Sequence, residues 1–238
     1  MNFHDKIVLV TGGTGGLGRE VTMAFLEAGA TVVVTYRVED EFAAVANAAQ
    51  RIGATAPAGM SVDVTDAEAV RKSVAEILAE HGRLDILVNT VGGYAGGTNL
   101  WEVDASTYDK MLQLNLNAGF VLARAVVPQM IKQNRGWIVN VASKAAFDHA
   151  AGAGLYVASK AAAVALMDSL AADVKVYNIN VNSILPSIID TAANRKAMPG
   201  ADFAKWPKPE EIARVILFLC SEEGRVIHGA AIPVYGKT

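Results

Sequence analysis

The sequence predicts an α/β protein built on a doubly wound parallel sheet of about seven strands, with helices on both faces. Three observations support this fold class. Short runs of apolar, β-branched residues alternate along the chain with longer stretches of helical periodicity. A cluster of glycines separates the first such strand from the first helix, and no proline-rich or repetitive linker divides the 238 residues. We therefore expect one domain over residues 1–238, large enough to bury its own core.

The predicted strands are short apolar runs that end at glycine or polar residues. They lie near residues 6–10, 31–36, 60–62, 84–89, 137–142, 180–185 and 231–234. Apolar residues three and four positions apart predict helices between them, with end signals such as Gly29 after the first and Pro209 in the last. The helices cover residues 16–28, 39–51, 66–81, 107–133, 155–173 and 209–220. The polar segment 187–208 follows the sixth strand, where ligands of such sheets are covered, so we expect a substrate lid.

The composition argues against several classes of function. The net charge of −3 is small and spread along the chain, so we expect no binding to nucleic acid or to a membrane surface. The first residues lead into an apolar strand without a charged leader and cleavage site, which favours a cytoplasmic protein. The most apolar helical stretch, 155–172, contains Lys160 and Asp168 and fits a buried helix of a soluble protein better than a membrane span.

The cysteine and the histidines indicate neither redox chemistry nor a metal site. Cys220 is the only cysteine and follows apolar residues of the last helix, so we expect a buried core thiol. His4, His81 and His228 are isolated in the sequence and are expected at the surface. No spacing of histidines or carboxylates resembles a metal site, so no metal is expected.

Residues 11–18 read Thr-Gly-Gly-Thr-Gly-Gly-Leu-Gly and lie between the first predicted strand and the first helix. At that position backbone N–H groups and the helix N-terminus bind a dinucleotide pyrophosphate, and glycine lets the backbone approach the phosphates. The string fits both the G-x-G-x-x-G and the T-G-x-x-x-G-x-G spacing. A purely structural turn is the alternative. We expect cofactor contacts from Gly12, Thr14, Gly15, Leu17 and Gly18.

The end of the second predicted strand indicates which nicotinamide cofactor is bound. An acidic residue there would hydrogen-bond the ribose 2′-OH of NAD, whereas an arginine favours the 2′-phosphate of NADP. Here the strand ends in Tyr36 and Arg37, and the first carboxylate comes at Glu39. Because a guanidinium pairs well with phosphate, NADP is preferred. NAD stays open, since Arg37 can be a solvated residue at the helix entry and Glu39 or Asp40 can fold back to the ribose.

Tyr156 and Lys160 lie four residues apart in a predicted helix, so they share one face, one turn apart. A tyrosine with a pKa near 10 is a poor acid or base at neutral pH, and a nearby ammonium lowers that pKa. Ser143 ends the fifth strand and can hold a carbonyl oxygen while Tyr156 moves the proton. By itself the Tyr/Lys spacing also fits an exposed helix face. The strand-end serine, the glycine loop and a polar Asn115 in an otherwise apolar helix together favour an active site.

On these residues the chain resembles the short-chain dehydrogenase/reductase family of Rossmann-type, nicotinamide-dependent oxidoreductases over nearly its full length. The resemblance implies that Ser143, Tyr156 and Lys160 are the catalytic set and that Asn115 anchors a proton-relay water. It also implies that the helices carrying Asn115 and Tyr156 pair across subunits in a homodimer or homotetramer. The further cofactor contacts that it implies are Asp63 and Val64 at the adenine, Asn89 and Val91 after the fourth strand, and Pro186, Ile189 and Thr191 in the segment whose threonine meets the nicotinamide carboxamide.

Three segments depart from the family pattern. The Asn-Asn-Ala-Gly segment of the family reads Asn-Thr-Val-Gly here, with Val91 in place of the alanine. Ser187 stands where a glycine after Pro186 is usual, and residues 234–237 read Val-Tyr-Gly-Lys where the family usually has Asp-Gly-Gly. None of these departures removes a proton-transfer group, so they bear on cofactor fit and on subunit contacts at the C-terminus.

Two segments show a narrower resemblance, to the dihydropteridine reductases of the same superfamily. They are residues 91–97, which read Val-Gly-Gly-Tyr-Ala-Gly-Gly, and residues 190–206 of the expected lid. The resemblance implies that both segments border the substrate and supply flat apolar walls for a ring. Ser143 departs from those reductases, which use the Tyr/Lys pair without a matching serine and prefer NADH. The residues expected to line the substrate are Tyr94, Phe147, Ile188 and Trp206.

Three functions follow from these observations. The leading hypothesis is an NAD(P)-dependent carbonyl reductase or alcohol dehydrogenase that acts on a small molecule by the Ser-Tyr-Lys mechanism. A dihydropteridine-reductase-like enzyme is the alternative within the same class. A non-catalytic nucleotide sensor is the alternative from a different class, and the presence of Ser143, Tyr156 and Lys160 argues against it.

Overall fold

A computed structural model describes residues 1–238 and contains one parallel sheet of seven strands. The strands alternate with helices along the chain, which confirms the α/β class predicted from the sequence. They are β1 (Ile7–Thr11), β2 (Thr31–Tyr36), β3 (Ala58–Ser61), β4 (Ile86–Asn89), β5 (Gly136–Val141), β6 (Ile179–Pro186) and β7 (Ala230–Val234). Their order in the sheet is β3-β2-β1-β4-β5-β6-β7. Strands β1 to β3 are therefore added toward one side of the sheet and strands β4 to β7 toward the other. At such a switch point, between β1 and β4, a crevice for ligands opens.

Eight α-helices connect the strands. They are α1 (Gly18–Glu27), α2 (Glu39–Arg51), α3 (Ala67–His81), α4 (Ala105–Leu112), α5 (Ala118–Gln133), α6 (Gly154–Val174), α7 (Ala192–Ala197) and α8 (Pro209–Leu219). The single helix predicted over 107–133 is continuous over Ala105–Gln133, and a π-helical turn, Gln113–Asn117, divides it into α4 and α5. The expected lid, 187–208, contains α7 and a short 3₁₀ turn, Phe203–Lys205, where the sequence suggested only an irregular stretch.

The two faces of the sheet bury two separate apolar layers, because successive strand residues point to opposite sides. In β1, Val8 and Val10 face a layer that includes α1 and α8, whereas Ile7 and Leu9 face one that includes α3, α5 and α6. Each fully buried side chain of this kind contributes about 1.5–3 kcal/mol relative to exposure. The layers fix the strands, so the loops at their carboxyl ends occupy defined positions.

Several side chains differ in burial from the sequence expectations. Cys220 is buried, as predicted, but His228 is not an exposed surface residue. Its ring accepts a hydrogen bond from Val181 N at 3.3 Å, and its Nε2 lies 2.9 Å from the carbonyl oxygen of Ala171. His81 is also only partly exposed, whereas His4 is exposed as expected.

Two helical stretches, Ala105–Gln133 and Gly154–Tyr177, are long and apolar enough to cross a membrane by length and composition alone. Core helices of soluble proteins pass the same test, so this is weak evidence for a span. The second stretch contains the helix that we expected to be buried, yet only a third of its most apolar window is buried. The expectation holds for one face of α6, which includes Lys160 and Met167, while the opposite face is open.

Candidate active site

The carboxyl ends of all seven strands lie at one edge of the sheet because the strands are parallel. The glycine-rich loop follows β1, Asn89 ends β4, Ser143 follows β5 and Pro186 ends β6. The fold therefore brings together segments that are far apart in the sequence. We identify this edge, between β1 and β6, as the candidate site.

The glycine-rich loop folds into a turn that larger residues would disrupt. Gly12 has a φ of +67° and donates from its N–H to Thr35 Oγ1 at 3.0 Å. A Cβ on Gly18 would lie 2.0 Å from the Gly12 carbonyl oxygen, and one on Gly16 would lie 2.9 Å from the methyl group of Thr191. The N-cap residue of α1, Leu17, makes no capping hydrogen bond through its side chain. Backbone N–H groups at this helix end are thus available to an anion, and the turn fits a dinucleotide pyrophosphate.

The side chains around the end of β2 combine one cation with three carboxylates. Arg37 Nη1 lies 3.3 Å from Asp63 Oδ2, and the arginine side chain is 73% exposed. Tyr36 donates to Glu39 at 2.7 Å, and Thr14 in the glycine loop donates to Glu41 at 3.0 Å. Arg37 and Glu39 were expected near the cofactor from the sequence, whereas Glu41, in the first turn of α2, was not expected there.

Asp63 is the carboxylate that pairs with Arg37. It accepts hydrogen bonds from Thr65 N at 2.9 Å and from Thr65 Oγ1 at 2.7 Å. These bonds, and then the Arg37 guanidinium, hold the pKa of Asp63 below its usual range. The neighbouring Val64 is buried in the layer that includes α3. The turn that carries the two expected adenine contacts is therefore fixed by the protein itself.

Asn89 joins three strands by side-chain hydrogen bonds. Its Oδ1 accepts from Thr11 Oγ1 at 2.8 Å and from Val91 N at 3.2 Å, and its amide donates to Asn140 Oδ1 at 2.8 Å. All of these bonds are to protein groups, so they hold the strand ends and the start of the next loop in register. Contact of Asn89 and Val91 with a cofactor stays a prediction.

Lys160 is a buried cation in the interior of α6, one turn after Tyr156. Its Nζ donates to the Val141 carbonyl oxygen at 3.0 Å, and burial lowers the pKa of Lys160 to about 8. Gly92 lies against the ammonium group, because a Cβ on Gly92 would be 2.9 Å from Nζ. An ammonium group donates three hydrogen bonds, so further acceptors are needed to satisfy it.

Tyr156 lies beside Ser143 and Tyr94. Burial raises the pKa of Tyr156, the neighbouring Ser143 hydroxyl lowers it, and Tyr94 raises it further. We expected Lys160 to lower this pKa, and the structure differs because burial outweighs the favourable contacts of the phenol. Ser143 caps the short turn Lys144–Ala146, and its Oγ accepts from Ala145 N at 3.2 Å. This bond fixes the direction of the Ser143 side chain.

Asn115 connects α6 to the loop after β4. Its amide donates to Ser159 Oγ at 2.9 Å and to Gly93 O at 3.0 Å, and its Oδ1 accepts from Gly93 N at 2.9 Å. Ser159 in turn donates to the Tyr156 carbonyl oxygen at 2.8 Å. Asn115 lies in the π-helical turn between α4 and α5. Ser159 was not expected at the site from the sequence, although it lies in the same helix as Tyr156 and Lys160, directly before the lysine.

The expected substrate-lining residues differ in exposure. The Tyr94 ring stands edge-on to the Tyr156 ring, with centroids 5.0 Å apart, and is mostly exposed. Phe147 and Ile188 are also exposed, so all three present apolar surface to solvent. Trp206 is only 6% exposed and packs against Phe203, so its ring does not form an open wall. Its assignment to the substrate site stays a prediction.

The first part of the lid is fixed by capping bonds. Thr191 Oγ1 accepts from Asn194 N at 3.2 Å and thereby caps α7. Asn194 also donates from its side chain to Ile189 O at 2.8 Å, and Arg195 pairs with Asp190. Together with the contact between Thr191 and the glycine loop, these bonds fix the first part of the segment 187–208 beside that loop. Its role as a substrate lid stays a prediction.

The fold and the glycine turn define a dinucleotide-binding protein, and comparison with known proteins narrows the class. Residues 6–201 match the short chain dehydrogenase family. A 3-oxoacyl-acyl-carrier-protein reductase of Thermotoga maritima is 31% identical over 245 residues, covering 99% of this chain and 98% of its own. An NAD-dependent glycerol dehydrogenase of Listeria innocua is 36% identical over 248 residues, covering 99% and 94%. The structure of NAD⁺-bound xylitol dehydrogenase superimposes with a TM-score of 0.91 at 26% identity, covering 99% of this chain and all of that one.

The chain therefore belongs to the short-chain dehydrogenase/reductase family of oxidoreductases, which use nicotinamide cofactors. This confirms the resemblance drawn from the glycine loop and from Ser143, Tyr156 and Lys160. Membership of this family does not by itself support the narrower resemblance to dihydropteridine reductases, which stays a prediction.

Proposed function

We propose that this protein transfers a hydride between NADP(H) and a carbonyl or alcohol group of a small molecule, with proton transfer by Tyr156. The observation that carries this proposal is the grouping of Ser143, Tyr156 and buried Lys160 at the edge of the sheet where the glycine turn opens. When bound, the nicotinamide ring supplies or accepts the hydride. The names of the relatives, which include a reductase and two dehydrogenases, support carbonyl and alcohol chemistry.

Each residue of the proposed set has a separate task. The Ser143 hydroxyl, held by Ala145 N, orients the substrate oxygen, and the Tyr156 phenol holds or takes up the proton at that oxygen. Lys160 binds the ribose of the cofactor and favours the phenolate once substrate and cofactor complete its surroundings. Asn115 and Ser159 keep the start of α6 against the loop after β4. The family resemblance implies that Asn115 also anchors a water that relays the proton.

Replacing Tyr156 with phenylalanine tests the proposal, because the substitution removes only the hydroxyl group. Turnover should fall by at least about a hundredfold, the usual size of a general acid–base contribution. Binding of NADPH, followed by nicotinamide fluorescence, should persist. Tyr177→Phe is the matched control, since Tyr177 precedes β6 at the opposite edge of the sheet. Turnover by Tyr156→Phe close to that of the control would exclude Tyr156 as the proton donor.

The preference for NADP rests on Arg37. Its guanidinium is mostly exposed, so it can pair with a 2′-phosphate. The ion pair with Asp63 engages Nη1, and the other nitrogens of the guanidinium are left for the phosphate. Glu39 and Glu41 oppose this preference because they place negative charge near the same position. The ratio of kcat/KM for NADPH to that for NADH should exceed one in the wild-type chain and should fall at least about tenfold in Arg37→Gln. An unchanged ratio would mean that residues other than Arg37 determine the preference for NADP.

A pteridine substrate is the second candidate, favoured by the exposed ring of Tyr94 beside Tyr156. An aromatic ring can stack on such a face. Assays of a quinonoid dihydropterin and a panel of ketones with both cofactors separate the two candidates. Exclusive turnover of the dihydropterin would replace the carbonyl proposal. Cofactor binding without turnover of either class would favour the nucleotide sensor.

We also propose that the protein is a homodimer or homotetramer that pairs through α5 and α6. Apolar residues on the outer faces of these helices are open to solvent, among them Phe120, over whose ring Arg124 lies at 5.8 Å. An exposed apolar side chain beside a face of small residues fits a contact between subunits, as the family resemblance implies. Sedimentation analysis should give a dimer or tetramer that Phe120→Glu dissociates, and a monomeric wild type would contradict the proposal. The cytoplasmic location stays a prediction, which cell fractionation can test.

A further inference from the structure

Two of the segments that depart from the family pattern touch each other in the structure. Ser187, which stands where a glycine is usual, donates from its hydroxyl to the Tyr235 carbonyl oxygen at 2.8 Å. Tyr235 belongs to the unusual end of the chain, just after β7. A glycine at position 187 has no side chain and could not make this bond. The two departures thus form one contact between the start of the lid and the C-terminal tail.

The ring of Tyr235 packs against the loop that carries Ser143. Lys144, the residue directly after Ser143, places its Nζ 5.3 Å from the centroid of the ring. The ring also packs against the small apolar cluster of Ala142, Ala146, Val164 and Leu185, which spans the Ser143 loop, α6 and β6. The ring of Tyr235 therefore contacts Lys144, directly after Ser143, and the apolar cluster that includes Ala142 and Ala146.

The residues after Tyr235 hold the other end of the lid. Lys237 N donates to the Lys205 carbonyl oxygen at 2.9 Å, next to Gly236, which has a φ of +64°. A Cβ on Gly236 would lie 2.8 Å from that same oxygen, so only glycine permits this approach. Pro207 O accepts in turn from Asp190 N at 3.0 Å, which ties the two ends of the lid together.

We propose that Tyr235 is a positioning residue that sets the Ser143 loop and the lid relative to each other. Its ring supports the Ser143 turn through Lys144, and its backbone holds Ser187 and the tail that binds Lys205. No hydrogen bond engages its hydroxyl, so the ring and the backbone carry the effect. The inference rests on the proposed function in one respect, since Ser143 must orient the substrate for its position to affect turnover.

Three variants and one control test this role. Tyr235→Leu keeps an apolar side chain but removes the ring, Tyr235→Phe keeps the ring, and Lys144→Met removes the cation. Tyr177→Leu is the matched control at the opposite edge of the sheet. We expect kcat/KM for the carbonyl substrate to fall about tenfold in Tyr235→Leu and several-fold in Lys144→Met, because small misplacements of positioning groups are costly. Tyr235→Phe and the control should stay within about twofold of wild type, and the NADPH dissociation constant should change by less than about threefold.

Amide hydrogen exchange gives a second readout that does not depend on activity. In Tyr235→Leu, exchange should accelerate in residues 143–149 and 187–208 and stay unchanged in the sheet. Equal kcat/KM in Tyr235→Leu and wild type, or a loss in Tyr235→Phe as large as in Tyr235→Leu, would overturn the proposal. Accelerated exchange throughout the chain would also overturn it, because the role would then be general stability. If Tyr156→Phe retains turnover, the proposed function fails, whereas the exchange result still decides whether Tyr235 holds the two segments.

Discussion

Lys160→Met should unfold less readily than the wild-type chain at neutral pH while losing activity. Burial of the ammonium group is costly, and its one hydrogen bond, to the Val141 carbonyl oxygen, leaves most of that cost in place. Methionine has a similar length and no charge, so it fills the same space without desolvating a cation. The chain would therefore gain stability by losing a residue that its proposed chemistry needs.

The size of the effect follows from the pKa of Lys160. A lowering from 10.5 to about 8 corresponds to about 3 kcal/mol, at about 1.36 kcal/mol for each pH unit. The variant also loses the hydrogen bond to Val141, which is worth about 1 kcal/mol. We expect a net gain of about 2 kcal/mol in the free energy of unfolding near pH 7.

The pH dependence of the free energy of unfolding is a second, independent test of the same reasoning. Between pH 8 and 10.5 the unfolded chain binds a proton at Lys160 that the folded chain has lost, so wild-type stability rises with pH. Below the folded pKa the full penalty of burying the charge is present. The wild type should therefore regain about 2 kcal/mol between pH 7 and about pH 9.5, and Lys160→Met should not.

Urea unfolding without cofactor, at both pH values and with m-values compared, measures both effects. Lys175→Met is the control, because Lys175 is an exposed lysine at the opposite edge of the sheet. The reasoning is refuted if Lys160→Met is less stable than wild type near pH 7, or if both chains show the same change with pH.

Three further changes test other parts of the site and fold. Gly18→Ala should weaken NADPH binding roughly 5- to 150-fold in a fluorescence titration, because its Cβ would lie 2.0 Å from Gly12 O and overpacking of this kind costs about 1–3 kcal/mol. Binding within about threefold of wild type would contradict the tight turn. Ser159→Ala should lower kcat about fivefold and leave the NADPH dissociation constant unchanged, since the buried Asn115 amide loses an acceptor worth about 1 kcal/mol. A kcat equal to that of the wild type would show that Ser159 does not act through Asn115. Asp66→Ala should lower the free energy of unfolding by about 1 kcal/mol without affecting activity, because Asp66 caps α3 by accepting from two backbone N–H groups. Unchanged urea unfolding would contradict this capping role.

The sequence predicted most strands because they are short apolar runs that are buried along their whole length, and most helices because their apolar residues follow the helical period. The strand predicted at 31–36 and the helices predicted at 39–51 and 209–220 agree with β2, α2 and α8 to within one residue. The π-helical turn at Gln113–Asn117 escaped prediction because one extra residue per turn barely alters the apolar period. The polar composition of residues 187–208 likewise concealed α7, whose six residues rely on a Thr191 cap and not on a buried face.

The candidate site was predicted only where chemistry follows from spacing. The separation of Tyr156 and Lys160 by four residues in a helix fixes their common face, and the structure places both there. The direction of the pKa of Tyr156 could not be obtained in this way, because it depends on the depth of burial and on Ser143 and Tyr94, which come from other segments. The bond between Ser159 and Asn115 spans 44 positions and needs the packed helices to form.

The polar groups at the carboxyl edge of the sheet differ in one respect that bears on the proposed function. Thr11, Asn89 and Asn140 are buried and bonded to one another, so they stabilise the strand ends and have few groups left to offer. Lys160 is equally buried but has one backbone acceptor for an ammonium group that can donate three times. A ribose hydroxyl and a phenolate oxygen are the acceptors that the proposed reaction brings to it. In the proposed reaction these acceptors would offset part of the cost of burying Lys160 in the free chain. The stability of Lys160→Met, corrected for the lost bond to Val141, measures that cost.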